Sequence, residues 1–278
     1  MEFLRAWVLP PEYSGDPWLY MSIAAAALLL TSVSKGGFGG GVGLLSVPLM
    51  LQVAPYPFVI GLWLPILIAC DLATIHHYPQ EWNVRAFLRL APGTLLGIAA
   101  ATILLSRIDL QAPPAEFRRQ EAWLKLGVAG IALLFVVLQL KPKSKDRDAP
   151  WRPGWPVSLG IGVAAGITTM LAHAAGSIVT MFFLPMQMEK RVFVGTTGRY
   201  FFTFNSLKIP FYVAIGWMTW TTLSCGIWLM LLGPLGVWLG SWLNARLKPA
   251  WFVRLIYLFL LLAAVKLIFD GWRTLASG

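Results

Sequence analysis

The sequence has few charged residues. Asp, Glu, Lys and Arg make up 12% of the 278 residues, whereas a soluble domain averages about 25%. Hydrophobic residues make up 58%, and the mean hydropathy is +0.69. This composition argues against a soluble enzyme or binding module and predicts an integral membrane protein.

Cysteine is also scarce, and the usual catalytic patterns are missing. Cys70 and Cys225 both lie in apolar runs, where a cysteine usually packs in the core and forms no disulfide. The sequence contains no convincing nucleophile–base pair, metal-ligand set or nucleotide-binding motif. We therefore expect a protein that is not an enzyme and that has no cofactor and no metal.

Basic residues exceed acidic ones, which gives a formal net charge of +10. They cluster in short loops between apolar runs, as the positive-inside rule describes for membrane proteins. We therefore expect the lipid bilayer as a partner, and no nucleic acid. The oligomeric state stays open.

Apolar runs long enough to cross a bilayer, about 17 to 25 residues, occur in both halves of the chain. Two further segments are longer and are interrupted, the first by six glycines within residues 36–43 and the second around His173–Ser177. The uninterrupted runs cover roughly residues 57–76, 88–106, 122–140, 192–214, 220–244 and 251–270, and the interrupted segments cover 18–53 and 155–187.

The segment 18–53 is too long for one straight crossing. As a helix it would extend about 54 Å, against a hydrocarbon core of about 30 Å. It is either a helical hairpin, re-entrant or fully spanning, or a single broken crossing. A hairpin in each half gives the stronger bias of loop lysines and arginines toward one face, so we favour hairpins, with the basic face in the cytoplasm and both termini outside.

The two halves of the chain resemble each other. Placing Pro48 on Pro185 also pairs Gly39 with Gly176, Gly61 with Gly198 and Asp71 with Lys208, and further along Gly93 and Gly97 pair with Gly236 and Gly240. We predict an all-α polytopic membrane protein of about eight to ten membrane segments. Two inverted repeats, 18–140 and 155–273, would each contain one broken or hairpin segment and three spanning helices, joined by a charged cytoplasmic linker, 141–154.

Three stretches carry a family resemblance that covers nearly the whole chain. GGFGGGVGLLSVP, EWNVRAFLRLAPGTLLGIAA and EKRVFVGTTGRYFFTFNSLKIPFYVAIG resemble the TauE/SafE family of sulfite exporters, or TSUP permeases. The resemblance implies a permease of the bacterial inner membrane that exports sulfite or an organosulfonate such as sulfoacetate. Many members carry a second glycine cluster, whereas this chain has LAHAAGSIVTMFFLP there.

The glycine run has two interpretations. Glycines let helices pack closely in membranes; alternatively, the helix breaks here, and its free N–H groups and positive dipole end hold an anion. The second interpretation predicts that Gly37, Gly39, Gly40 and Gly41 bind the substrate. Lys35 beside them would be a counter-charge to the substrate, or else an anchor at the membrane interface.

The second half contributes the remaining predicted substrate-binding residues. His173, Gly176 and Ser177 occupy the second interruption, where His173 either donates to an oxyanion, carries the coupling proton, or is simply hydrogen-bonded in the bundle. Arg199 offers a planar fork of donors for a sulfonate, or else extends to the interface. Asn205, on the same span, would line the path.

Asp71 and Lys208 have opposite charges and align in the two repeats. We predict that they pair directly, which would offset the free energy of burying either charge, and that they serve coupling or gating; a purely structural ion pair is the alternative.

These patterns predict a secondary active transporter that works by alternating access, and the family resemblance implies that it exports a small sulfur-containing anion. Because the sequence contains no ATPase motif, the proton gradient or the membrane potential would drive it. A passive anion channel or uniporter is the alternative.

Overall fold

The computed structural model describes residues 8–10, 13–38, 40, 43–109, 112–140, 150–246 and 250–276, and these ranges are helical and contain no strand. The all-α prediction is therefore confirmed. The helices are α1 (Pro17–Phe38), α2 (Ser46–Met50), α3 (Tyr56–His77), α4 (Val84–Leu105), α5 (Pro114–Leu140), α6 (Trp155–Ala172), α7 (Ala175–Phe183), α8 (Lys190–Ala214), α9 (Trp220–Arg246) and α10 (Ala250–Ala276). Single 3-10 turns lie at Gly43–Leu45 and Leu184–Met186.

Five of the described helices are long and apolar enough to cross a membrane: α1, α3, α4, α6 and α9. A helix of 22 residues, such as α3, extends about 33 Å, slightly more than the hydrocarbon core. Helix α8 is longer still, with 25 residues, but it contains four basic side chains, which lower its hydropathy. Those basic residues are Lys190, Arg191, Arg199 and Lys208.

Both interrupted segments are broken where the sequence predicts. α1 ends at Phe38, before the second group of glycines, and α6 ends at Ala172, before His173. The helices that follow are short, since α2 has five residues and α7 has nine, or about 8 and 14 Å of helix. Neither can cross a core of about 30 Å, so the fully spanning form of the hairpin is wrong, and the re-entrant form and the broken crossing remain.

The helices α1–α5 and α6–α10 follow the same order: a long helix, a short helix and three long helices. The packing follows this order too. The fourth helix of each half packs on the first helix of the other, as α4 on α6 and α9 on α1, while α5 packs on α10 and α3 on α8. This reciprocal packing of equivalent helices is what a repeat would produce.

The inverted orientation and the repeat boundaries stay predictions, and residues 141–149 of the predicted linker lie outside the described residues.

Glycines bring the α4 and α6 backbones into direct contact. A Cβ atom added at Gly93 would lie 2.9 Å from Gly162 Cα, and one added at Gly97 would lie 2.9 Å from Gly166 Cα. At such distances only glycine fits without moving a helix. The α1–α9 contact is built in the same way, through Gly36, Gly236 and Gly240.

We expect Gly162→Ala to destabilise the protein and Gly160→Ala to leave it unchanged or slightly more stable. A Cβ atom at Gly162 would lie 2.6 Å from Leu90 O and 2.9 Å from Thr94 N, whereas Gly160, on the same helix, has no such neighbour within 4 Å. Overpacking costs about 1–3 kcal/mol, while replacing a helical glycine in open space gains about 0.5–1 kcal/mol. Thermal unfolding in detergent measures both variants; equal melting temperatures would contradict the close contact.

Candidate functional site

A half-open cavity lies where the two broken segments meet. It has about 360 Å³ of empty volume, its mouth included. In the first half its walls come from α1, the glycine break with the 3-10 turn that follows, α2 and α3, and in the second half from α6, the second break, α7 and α8. The lining residues are Thr31, Lys35, Gly40, Gly43, Ser46, Leu67, Thr169, His173, Gly176, Phe201 and Asn205.

Lys35, in the last turn of α1, forms a buried ion pair with Asp71 of α3. Lys35 Nζ donates to Asp71 Oδ1 and, at 3.4 Å, to Leu67 O. The other carboxylate oxygen, Asp71 Oδ2, accepts from Asn205 Nδ2 at 2.7 Å. The side chains of Lys35 and Asp71 are only 8% and 1% exposed, so this is a desolvated pair that links α1, α3 and α8.

Lys208 of α8 is fully buried and makes a second polar cluster. Its Nζ donates to Thr169 O at 3.2 Å and to Thr169 Oγ1 at 3.0 Å, and it lies 3.0 Å from His173 Nδ1. His173 Nε2 lies 3.0 Å from Ile60 O. Since a carbonyl oxygen can only accept, Nε2 carries the hydrogen, which leaves Nδ1 of the neutral ring to accept from Lys208.

The predicted direct pairing of Asp71 with Lys208 is wrong. Asp71 pairs with Lys35, and Lys208 bonds to His173 and Thr169. In the repeat alignment Asp71 matches Lys208, and Lys35 lies one position from the match of His173. In the first half, polar contacts therefore join α1 to α3, and in the second half they join α6 to α8. The repeat alignment identifies residues at equivalent positions, and Asp71 and Lys208, which it pairs, do not bond to each other.

The backbone is unusual at both breaks. Gly40 has a φ of +80° and donates its N–H to Ser34 O at 3.0 Å, which turns the chain back at the end of α1. His173 has a φ of +50° although it is not glycine, and such strained residues concentrate at functional sites. Helix α7 begins just after it, without a side-chain cap at Ala174, and Gly176 of its first turn lines the cavity.

The remaining predicted residues of the two breaks are placed less centrally. Gly37 is buried in the last turn of α1, and Ser177 is buried in the first turn of α7; neither is among the residues that line the cavity. Gly39 and Gly41 lie outside the described residues. Gly36 packs α1 on α9, because a Cβ atom there would overlap the Val237 carbonyl. Gly36 therefore fits the packing interpretation, while Gly40 lines the cavity and its binding of an anion stays a prediction.

Arg199 is not among the residues that line the cavity, and its role as a substrate-binding residue stays a prediction. Its Nη1 donates to Tyr78 O at 3.0 Å and to Gly195 O at 3.2 Å, and its Nη2 donates to Pro79 O. The guanidinium also lies 5.2 Å from the ring centroid of Trp82. Three of its five N–H donors are therefore bonded to backbone carbonyls, and it attaches the α3–α4 loop to α8.

A second arginine strengthens the same attachment. Arg191 donates from Nε and Nη2 to Glu81 Oε1, at 3.0 and 2.7 Å. These bonds hold the pKa of the Glu81 carboxyl below its ordinary value. A Cβ atom at Gly195 would overlap the Glu81 carbonyl oxygen, so the loop lies directly on the α8 backbone. This cluster is structural and lies apart from the cavity.

Several cavity residues carry no prediction from the sequence. For Thr31 and Thr169 a signal exists: each lies four residues before Lys35 or His173, hence on the same helical face. Phe201 offers no such signal, although its ring centroid lies 5.0 Å from Lys35 Nζ, a cation–π contact. Gly43 and Ser46 also line the cavity.

The chain is similar to a known protein family. A protein-family model described as Sulfite exporter TauE/SafE matches residues 23–267. This range contains every residue that lines the cavity, from Thr31 to Asn205. No curated protein and no solved structure matches the chain.

We expect Lys35→Met and Asp71→Asn each to lower the free energy of unfolding by about 3–5 kcal/mol, because each leaves one buried charge uncompensated. The double variant should lose much less than the sum of the two. Chemical unfolding in detergent, analysed as a double-mutant cycle, measures the coupling.

The matched control for this cycle is the pair Lys266–Asp270 of α10. Its atoms are 3.9 Å apart and its side chains are 58% and 47% exposed, so Lys266→Met and Asp270→Asn should couple by less than about 1 kcal/mol. Equal coupling in the two cycles would contradict a desolvated Lys35–Asp71 pair.

Proposed function

Because this chain belongs to the sulfite exporter TauE/SafE family, we propose that it is a secondary active transporter that exports a small sulfur-containing anion. Sulfite, or an organosulfonate such as sulfoacetate, would be the substrate. The family consists of membrane transporters, and five long apolar helices fit a multi-pass membrane protein. We assign the chain to the bacterial inner membrane.

The observation that carries the proposal is a buried lysine beside the cavity that lacks a carboxylate partner. Lys35 is balanced by Asp71. In the described part of the chain, Lys208 has no carboxylate within 4 Å, and its partners are Thr169 and His173. Buried charges are normally compensated, so an anion in the cavity supplies the missing negative charge.

The cavity would bind the anion between the two halves. Lys35 and Gly40 approach it from the first half, and His173, Gly176 and Asn205 approach it from the second. Gly176 adds the N-terminal end of α7, where backbone N–H groups and the helix dipole favour an oxyanion. A substrate held by both halves would link occupancy to their relative position, as alternating access requires.

The coupling role falls to the polar groups behind the cavity wall. Lys208 Nζ and His173 Nδ1 are 3.0 Å apart, which is hydrogen-bond distance and allows a proton to pass between them. Asp71, held by Lys35 and Asn205, would change partners when an anion competes for Lys35. We therefore assign coupling or gating to Asp71 and Lys208.

Flux through proteoliposomes tests the proposal. Sulfite, sulfoacetate and sulfate are each loaded with and without an imposed pH gradient. We expect the gradient to accelerate the flux of sulfite or sulfoacetate but not the flux of sulfate. Flux of all three anions regardless of the gradient would instead identify a passive anion channel, and no flux of any would refute the proposed substrate class.

Two variants of α8 separate site residues from structural ones. Asn205→Ala should raise the Kd for the transported anion about tenfold, because the amide would no longer donate a hydrogen bond to that anion. A hydrogen bond to a charged group is worth about 1.5–3 kcal/mol. Arg199→Gln should lower the melting temperature and leave the Kd unchanged, since it loosens the α3–α4 loop. Calorimetric binding and thermal unfolding measure the two effects; a weakened affinity with unchanged stability in Arg199→Gln would return Arg199 to the site.

A further inference from the structure

Four titratable side chains meet at the cavity and determine its net charge. Lys35 and Asp71 form an ion pair and cancel each other. His173 Nε2 is bonded to the Ile60 carbonyl and carries a hydrogen, so one further proton lies between His173 Nδ1 and Lys208 Nζ. Only one of the two nitrogens can hold this hydrogen, so they are never both protonated; the pair therefore carries at most one positive charge, and so does the whole cluster.

The other titratable groups next to this cluster do not change the count. Tyr56 of α3 donates its hydroxyl to Leu171 O. Tyr212 of α8, whose ring centroid lies 6.0 Å from that of His173, donates to Met170 O at 2.6 Å. Both hydroxyls therefore serve as neutral donors. Cys70, beside Asp71, has its sulfur directed at α9, 2.8 Å from where a Cβ atom of Gly233 would lie.

We infer that the cavity takes its substrate as a monoanion, hydrogen sulfite, and rejects the sulfite dianion and the doubly charged sulfoacetate. This inference rests on the proposed function. A single negative charge neutralises the cluster, whereas a second one would remain uncompensated in a desolvated site. Phe201 adds a limit on size, because its ring lies over Lys35 and 3.2 Å from where a Cβ atom of Gly40 would lie.

The decisive experiment is anaerobic titration calorimetry on the full-length protein in detergent, with three probes across a pH series. Sulfite changes from monoanion to dianion within the series, methanesulfonate stays a monoanion, and sulfate stays a dianion. We expect the affinity for total sulfite to fall about tenfold for each pH unit above its second ionisation, while that for methanesulfonate stays flat. Sulfate should bind much more weakly than methanesulfonate throughout.

Two outcomes would overturn the inference. A parallel decline for sulfite and methanesulfonate would assign the pH dependence to the protein's own groups. A sulfate affinity equal to that of methanesulfonate would show that charge is not selected. If sulfite crosses proteoliposomes but its affinity is flat with pH, only the inference fails; if no probe binds and no sulfite flux occurs, the proposed function fails as well.

Charge variants give a second, internal readout, the ratio of sulfate to methanesulfonate affinity in folded protein. Asp71→Asn raises the cluster charge by one and should shift the ratio about tenfold toward sulfate. Lys208→Met removes the positive charge and should abolish binding of methanesulfonate. Lys266→Met, a charge change at an exposed side chain on α10, is the control and should leave the ratio unchanged. An unchanged ratio in Asp71→Asn would overturn the inference.

Discussion

The buried ion pair between Lys35 and Asp71 organises the centre of this molecule. Neither charge is tolerable alone in an apolar bundle, because desolvation of a single ion costs several kcal/mol. The pair holds the end of α1 against α3, and Asn205 extends it to α8. The first break therefore lies against the second half. The cavity forms beside Lys35, which is the member of the pair that lines it.

The second half makes an equivalent arrangement with different chemistry. His173 directly follows the last residue of α6, as Lys35 lies in the last turn of α1. In the repeat alignment, Lys208 of α8 occupies the place of Asp71 of α3. Broken helices expose backbone groups that lipid cannot satisfy, so both breaks must be enclosed by protein. Glycine contacts at Gly93, Gly97 and their counterparts press the first helix of each half against the other half, and this brings the two breaks together.

Local features of the fold follow from the sequence, because they depend on neighbouring residues. Apolar runs became helices, and the chain breaks at the glycine run and at His173, where helix propensity is low or the backbone turns. The family also follows, since its motifs are contiguous stretches. The site is predicted only in part: Lys35, Gly40, His173, Gly176 and Asn205 meet at the cavity, whereas Arg199 does not.

The tertiary structure alone decided the partners of the charges. Arg199 and Lys208 lie nine residues apart on α8, so at 100° per residue the two side chains point to opposite sides of the helix. Arg199 donates to carbonyls of the α3–α4 loop, whereas Lys208 packs against α6 and donates to Thr169. Which neighbour a helical face meets depends on how distant helices pack, and a nearly uniform apolar pattern carries little information about that. The amino-acid pattern indicates where the chain breaks and that charges are buried. Packing decides which charges compensate one another and leaves Lys208, among the described residues, without a carboxylate beside it.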